Sequence, residues 1–282
     1  MDKLRIDGVD YELLKAQRGG QRVYRGADRY LRIGAHERIA KDIATHRAMS
    51  GMGFPVAAIL SSGTLGGEDY FVEQSLGESR FRDLFENDTK QNGEISARHF
   101  EQFLHITKLY LEAQLNALVP PSAASFASGV HLDILRQELP HYAISLKDKF
   151  ERITQKLSGF PYVLTHGDFN PANMYPLGII DLEDSFSAPF GFDAVSAIST
   201  VEWFPDPGDY EFVASYRFTD AQKRSYLAMC DSVSRGVGYP PVSIYYGDFA
   251  FCRAIWSLVR MQAWPKLQAW RYEKFIRTYL YN

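Results

Sequence analysis

Cysteine is nearly absent. Only Cys230 and Cys252 occur in 282 residues. They lie far apart, with no CxxC pair and no Cys/His ligand spacing, which argues against a disulfide framework and against a zinc site. No window approaches the roughly 18 uninterrupted apolar residues of a membrane-spanning helix. Excess charge is also missing: 31 Lys+Arg stand against 34 Asp+Glu, a net charge of −3 and a sequence pI of about 6.2. A general nucleic-acid or anionic-membrane surface is therefore not expected. The opening residues MDKLRIDGVDYELLK are charged and hold no apolar core, so no secretory signal is expected. A reducing, cytoplasmic setting follows as the expectation. Internal repeats and low-complexity tracts are absent. What is present is an ordinary globular composition, 46% hydrophobic and 23% charged, with ample apolar content for a core.

The first 75 residues are rich in strand signals. VDYELLKA (Val9–Ala16), RVYRGADRYLRIG (Arg22–Gly34), AAILSSGTL (Ala57–Leu65) and EDYFVEQSL (Glu68–Leu76) are β-branched or aromatic runs. Gly19-Gly20, Gly26-Ala27-Asp28 and Gly66-Gly67 punctuate them as turns. One segment differs. Glu37 to Met49 carries Ile39, Ile43 and Arg47 at i, i+4 spacing, with Gly51, Gly53 and Pro55 beyond, and predicts a helix. From Arg80 onward the pattern turns helical. Phe100, Phe103, Leu104, Thr107, Leu111 and Leu115 form one stripe, ended by Pro120-Pro121. Helices interrupted at Pro140 follow, and Phe212 to the end is again helical and aromatic. The fold class is α+β. A small β-rich lobe with one helix (1–75) joins a larger, mainly helical lobe (76–282) near residues 72–78.

The stretch YVLTHGDFNPANMYPLGIIDLEDSF (Tyr162–Phe186) interrupts the helical region. Val163-Leu164 reads as buried strand, and His166-Gly167-Asp168 leaves it in a loop. Met174-Tyr175 and Ile179-Ile180 can pair as a short hairpin across Pro176-Leu177-Gly178. That pairing puts Asn173 and Asp181 at one end, where their oxygens could converge on a hard cation. Mg²⁺ takes few protein oxygens and completes its shell with water and phosphate. A carboxylate near a nucleophile, beside an Asn/Asp pair on metal, is a layout for phosphoryl transfer. Singly, such residues also cap helices and make Asx turns.

HGDFNPAN followed by IIDLED resembles the signature of the aminoglycoside phosphotransferase family, which is similar to choline/ethanolamine, fructosamine and homoserine-type kinases. The resemblance spans roughly residues 10 to 260. It implies a bilobal, protein-kinase-like fold, ATP or GTP with Mg²⁺, and a small-molecule hydroxyl acceptor. Asp168 would be the catalytic base, or the group that orients the acceptor hydroxyl. Asn173 and Asp181 would hold magnesium against the nucleotide phosphates. His166 would be a structural loop residue, and Asp193 in PFGFDAV would brace the catalytic loop. Neither a nucleic acid nor a membrane is an implied partner.

The resemblance also implies a nucleotide clamp in the first lobe. Gly19 and Gly20 lie where a Gly-rich turn would approach phosphate, although Gln21-Arg22 replace the Ser, Thr or Asn that often follows. Strand alternation turns Arg32 away from the core that takes Leu31 and Ile33, and relatives use Lys or Arg there on the phosphates. Asp42 falls where relatives carry a helix Glu to pair with that cation, and Glu37 competes with it. Phe71–Ser75, with Glu73 and Ser75, matches the linker whose backbone binds the purine edge. Glu183 and Asp184 would face the acceptor or a second metal, or be solvated loop acids; Glu202 and Trp203 are further acceptor candidates, with Asp206, Asp209 and Glu211 as acidic wall candidates. A catalytically weak nucleotide-binding regulator of the same fold is the alternative reading. A protein kinase is disfavoured, because SAPFGFDAV follows Asp181 almost at once and leaves little room for a peptide platform.

Overall fold

The computed structural model describes residues 3–16, 20–206, 208–259 and 263–281, apart from the side chains of Glu183, Tyr279 and Tyr281. The chain forms two compact units, Met1–Ser79 with Tyr175–Ile180, and Arg80–Met174 with Asp181–Asn282.

The first unit is built on six antiparallel strands: β1 (Lys3–Ile6), β2 (Val9–Ala16), β3 (Arg22–Arg25), β4 (Arg29–Gly34), β5 (Ile59–Leu65) and β6 (Glu68–Gln74). Helix α1 (His36–Gly51) lies between β4 and β5 in sequence. The sheet order is β1-β2-β3-β4-β6-β5. Gly66 and Gly67 both take positive φ (60° and 85°), the turn that matches strand twist in a two-residue hairpin and joins β5 to β6. β1, in the charged opening segment, is a strand that its composition did not signal. One sheet face buries Ile6, Tyr11, Tyr24, Leu31, Ile33 and Val72 in a single cluster. Helix α1 packs against β4 and β6.

The second unit begins with α2 (Phe81–Asn92), α3 (Ala97–Asn116), α4 (Ala123–Gly129), α5 (Leu132–Glu138) and α6 (Ala143–Lys156). The helical run does break at Pro140, in a 3₁₀ turn between α5 and α6. Then come β7 (Tyr162–Thr165), β8 (Met174–Tyr175), β9 (Gly178–Ile179), β10 (Phe186–Pro189), α7 (Phe192–Ser199), α8 (Asp220–Gly236), α9 (Tyr246–Val259) and α10 (Pro265–Arg271). Local chemistry sets the helix starts. Ser96 accepts from the His99 N–H at the start of α3, and Thr219 with Gln222 forms a full capping box at α8. The core is aromatic. Phe103 of α3 has Phe81, Phe85, Phe218 and Tyr226 with ring centroids 5.5–5.7 Å away. Each such fully buried ring contributes on the order of 1.5–3 kcal/mol.

The short hairpin forms one residue earlier than the sequence suggests on its second arm: β9 is Gly178–Ile179, leaving Pro176-Leu177 as the turn. Its tip belongs with the first unit because backbone hydrogen bonds hold it there. Ile179 N–H donates to Pro55 O (2.8 Å) and Leu177 N–H to Leu76 O (3.1 Å). β7 pairs instead with β10, in register from Phe186↔Thr165 to Pro189↔Tyr162.

Candidate active site

β7 ends at Thr165 and hands the chain to a tightly bonded loop. His166 is fully buried, and its N–H donates to Asp193 Oδ2 at 2.7 Å. The same oxygen accepts from Tyr110 Oη–H (2.6 Å) and Gln114 Nε2 (2.9 Å), both on α3. Asp193, in the first turn of α7, therefore ties the loop to α3 from a position only 1% exposed. Burial pushes its carboxyl above the ordinary value, against the opposing pull of His166 and Tyr110. The His166 ring stays in the scaffold, with Nδ1 accepting from the Asp168 N–H at 3.3 Å. Gly167 follows at φ +79°, and a Cβ there would lie 2.2 Å from the Asp184 carbonyl oxygen. Only glycine lets these two backbones approach.

Asp168 is the centre of this cluster. Asn170 Nδ2 donates to its Oδ1 (2.9 Å), Asn173 Nδ2 to its Oδ2 (3.2 Å), and both amides also donate to its backbone O. Arg253 of α9 completes the set, with Nη2 on Asp168 Oδ1 (2.6 Å) and Nη1 on Gly167 O (2.8 Å). That guanidinium is 1% exposed and lies 3.7 Å from the ring centroid of Trp256. Tyr110 and Phe169 stack at 4.1 Å beneath the loop. The carboxylate is thus fixed by ionic and amide bonds before any ligand arrives.

Asn173 and Asp181 flank the open end of the β8–β9 hairpin. With Nδ2 committed to Asp168, Asn173 Oδ1 accepts no hydrogen bond among the described residues. Asp181 is exposed, holds left-handed backbone at φ 70°, and has no side-chain partner among the described residues. Left-handed backbone is costly for a non-glycine residue. An amide oxygen and a carboxylate, both uncommitted, are a donor set that suits a hard cation such as Mg²⁺.

A cavity of about 520 Å³ opens beside Asp168 within the second unit. Val201, Phe204, Phe212, Tyr216, Trp256 and Trp264 make up most of its apolar wall. Glu202 and Trp203, expected at the acceptor, do not line it. Glu202 pairs with Lys223, and Trp203 is a core residue only 2% exposed. Asp206 pairs with Arg217 (3.0 Å), Asp209 pairs with Lys266 (2.6 Å), and Glu211 accepts the Lys266 and Leu267 N–H groups at the start of α10. Asp184 contributes its backbone against Gly167, and the Glu183 side chain lies outside the described residues.

In the first unit, Leu31 and Ile33 enter the core and Arg32 faces the other side of β4, as alternation requires. The carboxylate on Arg32 is neither Asp42 nor Glu37. Arg32 Nε donates to Glu73 Oε1 at 2.7 Å. The β4–β6 register, Tyr30↔Glu73 and Arg32↔Phe71, makes the two diagonal neighbours on one sheet face. Asp42 instead accepts from Gln21 Nε2 (2.8 Å), and Glu37 is exposed in the first turn of α1. His46 of α1 closes over the pair, with Nδ1 3.9 Å from Glu73 Oε2 and its pKa pulled down by burial. Glu73 is accordingly a buried ion-pair partner. Its strand is paired on both sides, Gln74 N–H donates to Ala58 O, and Ser75 N–H donates to Asp28 O (2.9 Å each). The Gln74 and Ser75 N–H groups are thus committed to backbone carbonyls within the unit. Gly20 sits in a left-handed turn at φ 85°, with Arg22 beside it paired to Glu68, while Gly19 lies outside the described residues.

Arg253, Tyr110, Gln114 and Asn170 were not assigned from the sequence. Arg253 left a signal: it is the one charge in the run FAFCRAIWSLV, where an unpaired cation would be costly. Tyr110 and Gln114, at i, i+4 on α3, are indistinguishable from ordinary helix residues until Asp193 meets them.

The chain matches the phosphotransferase enzyme family over residues 12–227. It belongs to that family. No curated protein matches it. Among solved structures it is similar to a thermostable mutant of aminoglycoside phosphotransferase APH(4)-Ia, with TM-score 0.56 and 12% identity over 96% of this chain and 95% of that one. It is also similar to aminoglycoside phosphotransferase APH(3'')-Id from Streptomyces rimosus, solved with ADP and streptomycin, with TM-score 0.50 and 14% identity over 88% and 92% of the two chains. A type VIII aminoglycoside-3'-phosphotransferase matches with TM-score 0.50 and 11% identity over 88% and 95%. The phosphotransferase is thus an enzyme of the small-molecule kinase class with a protein-kinase-like fold.

Proposed function

We propose that the phosphotransferase moves the γ-phosphoryl group of ATP to a hydroxyl of a small molecule, with Mg²⁺ as the metal. The observation that carries this reading is the Asp168 carboxylate, fixed by Arg253, Asn170 and Asn173 at the wall of a ligand-sized cavity. The acceptor hydroxyl donates to Asp168, which aims its oxygen at the γ-phosphorus. That oxygen forms the new P–O bond, the bond to the β–γ bridging oxygen breaks, ADP leaves, and the hydroxyl proton passes to Asp168. Arg253 holds the carboxylate aligned until then.

Asn173 Oδ1 and the Asp181 carboxylate are the groups that would hold magnesium. Bound there, the ion would neutralise charge on the nucleotide phosphates. In the first unit, Arg32 is assigned to nucleotide phosphate, with Glu73 fixing its side chain. APH(3'')-Id, solved with ADP, supports nucleotide use by this fold.

The test is Asp168→Asn, an isosteric change that removes the charge and can keep one oxygen for Arg253 and Asn170 while turning an amide donor toward Asn173 Nδ2. ADP release in the presence of acceptor should fall by about 10²–10⁴-fold, while nucleotide binding, read by calorimetry, persists. Undiminished turnover in this variant rules out the role of Asp168.

A further inference from the structure

We infer that the cavity beside Asp168 takes a hydroxy acid, an acceptor with an apolar or aromatic body and a carboxylate that meets Arg271, and not a polycationic or quaternary-ammonium alcohol. This rests on the phosphotransfer reading of the same site. Three observations about charge carry it.

The acids are already spent. Among the described residues, Asp168 and Glu86 are the only carboxylates lining the cavity. Asp168 holds Arg253, and Glu86 holds Lys90 Nζ at 2.8 Å. The other acids of the neighbouring segments, Glu202, Asp206, Asp209 and Glu211, are bound to cations or backbone amides away from the cavity. Among the described residues, no carboxylate free of a cation lines the cavity to meet an aminoglycoside.

Two of the aromatic rings in the wall already carry a cation. An ammonium ligand would need open ring faces. Arg253 lies over Trp256 at 3.7 Å, and Arg271 lies over Phe204 at 4.8 Å. A further cation brought to those rings would meet like charge in a poorly solvated space.

A cation is left over. Arg271 is 2% exposed and lines the cavity. Its Nε donates to Trp203 O (2.7 Å) and its Nη1 to Ser257 Oγ (2.6 Å), both neutral acceptors. Its Nη2 makes no hydrogen bond and the side chain has no carboxylate partner among the described residues. Burial, and behind it the charge of Arg253, pull the Arg271 pKa down to about 9. A buried charge lacking its counter-ion is unfavourable until a ligand supplies one. A carboxylate does so through charge-assisted bonds, and the apolar wall takes the rest of the molecule. The product is the phosphate monoester of the acid's hydroxyl, formed by the transfer step described above.

The experiment compares matched pairs on the intact enzyme with ATP and Mg²⁺: 4-(hydroxymethyl)benzoate and 3-phenyllactate, each against its own amide, alongside choline and kanamycin. ADP release reports turnover, and thermal shift without nucleotide reports binding. At least one acid should exceed its amide by about tenfold or more in kcat/KM, as expected for a charge-assisted contact, and should raise the melting temperature where the amide does not. Arg271→Gln should bring acid and amide to the same kcat/KM. Should that variant fail to fold, the wild-type acid-to-amide ratio alone decides. Choline or kanamycin as the better substrate, or acids equal to their amides, overturns the inference. Acid-selective binding with no ADP release from any acceptor leaves the hydroxy-acid pocket standing and sinks the phosphotransfer reading instead.

Discussion

Gly167 offers a sharp test of the proposed site because its surroundings separate two costs. Gly167→Ala places a methyl group on left-handed backbone at φ +79° and 2.2 Å from the Asp184 carbonyl oxygen. The backbone conformation alone costs an L-residue about 1–2 kcal/mol. The clash is with backbone, so no side chain can swing away. The loops must part by about 0.8 Å merely to reach the 3.0 Å floor of observed Cβ contacts, and such overpacking costs about 1–3 kcal/mol. The total is about 2–5 kcal/mol, or a melting temperature lower by about 4–10 °C at roughly 2 °C per kcal/mol for a chain of this size. Gly93, the left-handed C-cap of α2 in the same unit, is the control: its φ is +82° and nothing lies within 4 Å of its added Cβ. Gly93→Ala should therefore show only the conformational cost, about 1–2 kcal/mol. Activity should divide the pair further. Displacing Asp168 by a sizeable fraction of an ångström should lower kcat by about 10²-fold, whereas Gly93→Ala should leave kcat unchanged. Thermal melting and steady-state ADP release on both variants make the comparison. If Gly167→Ala melts no lower than Gly93→Ala and retains its kcat, the close approach of the two loops is not what positions Asp168.

Arg253→Lys keeps the charge but loses the fork that holds Gly167 O and Asp168 Oδ1 together. We expect kcat to fall about 10–100-fold with the KM for ATP unchanged, and an unaltered kcat would remove Arg253 from the site. Asp181→Asn should raise the magnesium concentration needed for half-maximal activity by at least about tenfold, and an unshifted titration refutes its ligand role. Asp88 supplies a pH test. Burial pushes its carboxyl up, but the Ser96 hydroxyl and N–H and the His99 ring outweigh this and hold its pKa below the ordinary carboxylate value. A depressed carboxyl stabilises the fold fully above its unfolded pKa and loses that contribution as pH falls through its folded pKa. The stability gap between the wild type and Asp88→Asn, measured by urea unfolding, should be widest at neutral pH and shrink below about pH 4. A gap that grows on acidification contradicts this.

The sequence by itself determined the order of elements, strands with one helix and then helices with a polar hairpin. Those signals are local: β-branched runs between Gly turns, and a 3.6-residue stripe from Phe100 to Leu111. It also singled out His166, Gly167, Asp168, Asn173 and Asp181 as candidates, because these positions lie on one short segment whose turns restrict where each can be. Asp193 is 25 residues beyond Asp168 in sequence and was reachable only through the family signature. Tertiary structure alone decided the rest, because the contacts join distant segments. Strand register, not helix position, gave Arg32 its partner in Glu73. A guanidinium 85 residues downstream of Asp168 reached its carboxylate. The acids Glu202, Asp206 and Asp209 looked like an acceptor wall in one dimension. Their cationic partners come from other segments, so the charge left in the cavity became that of Arg271.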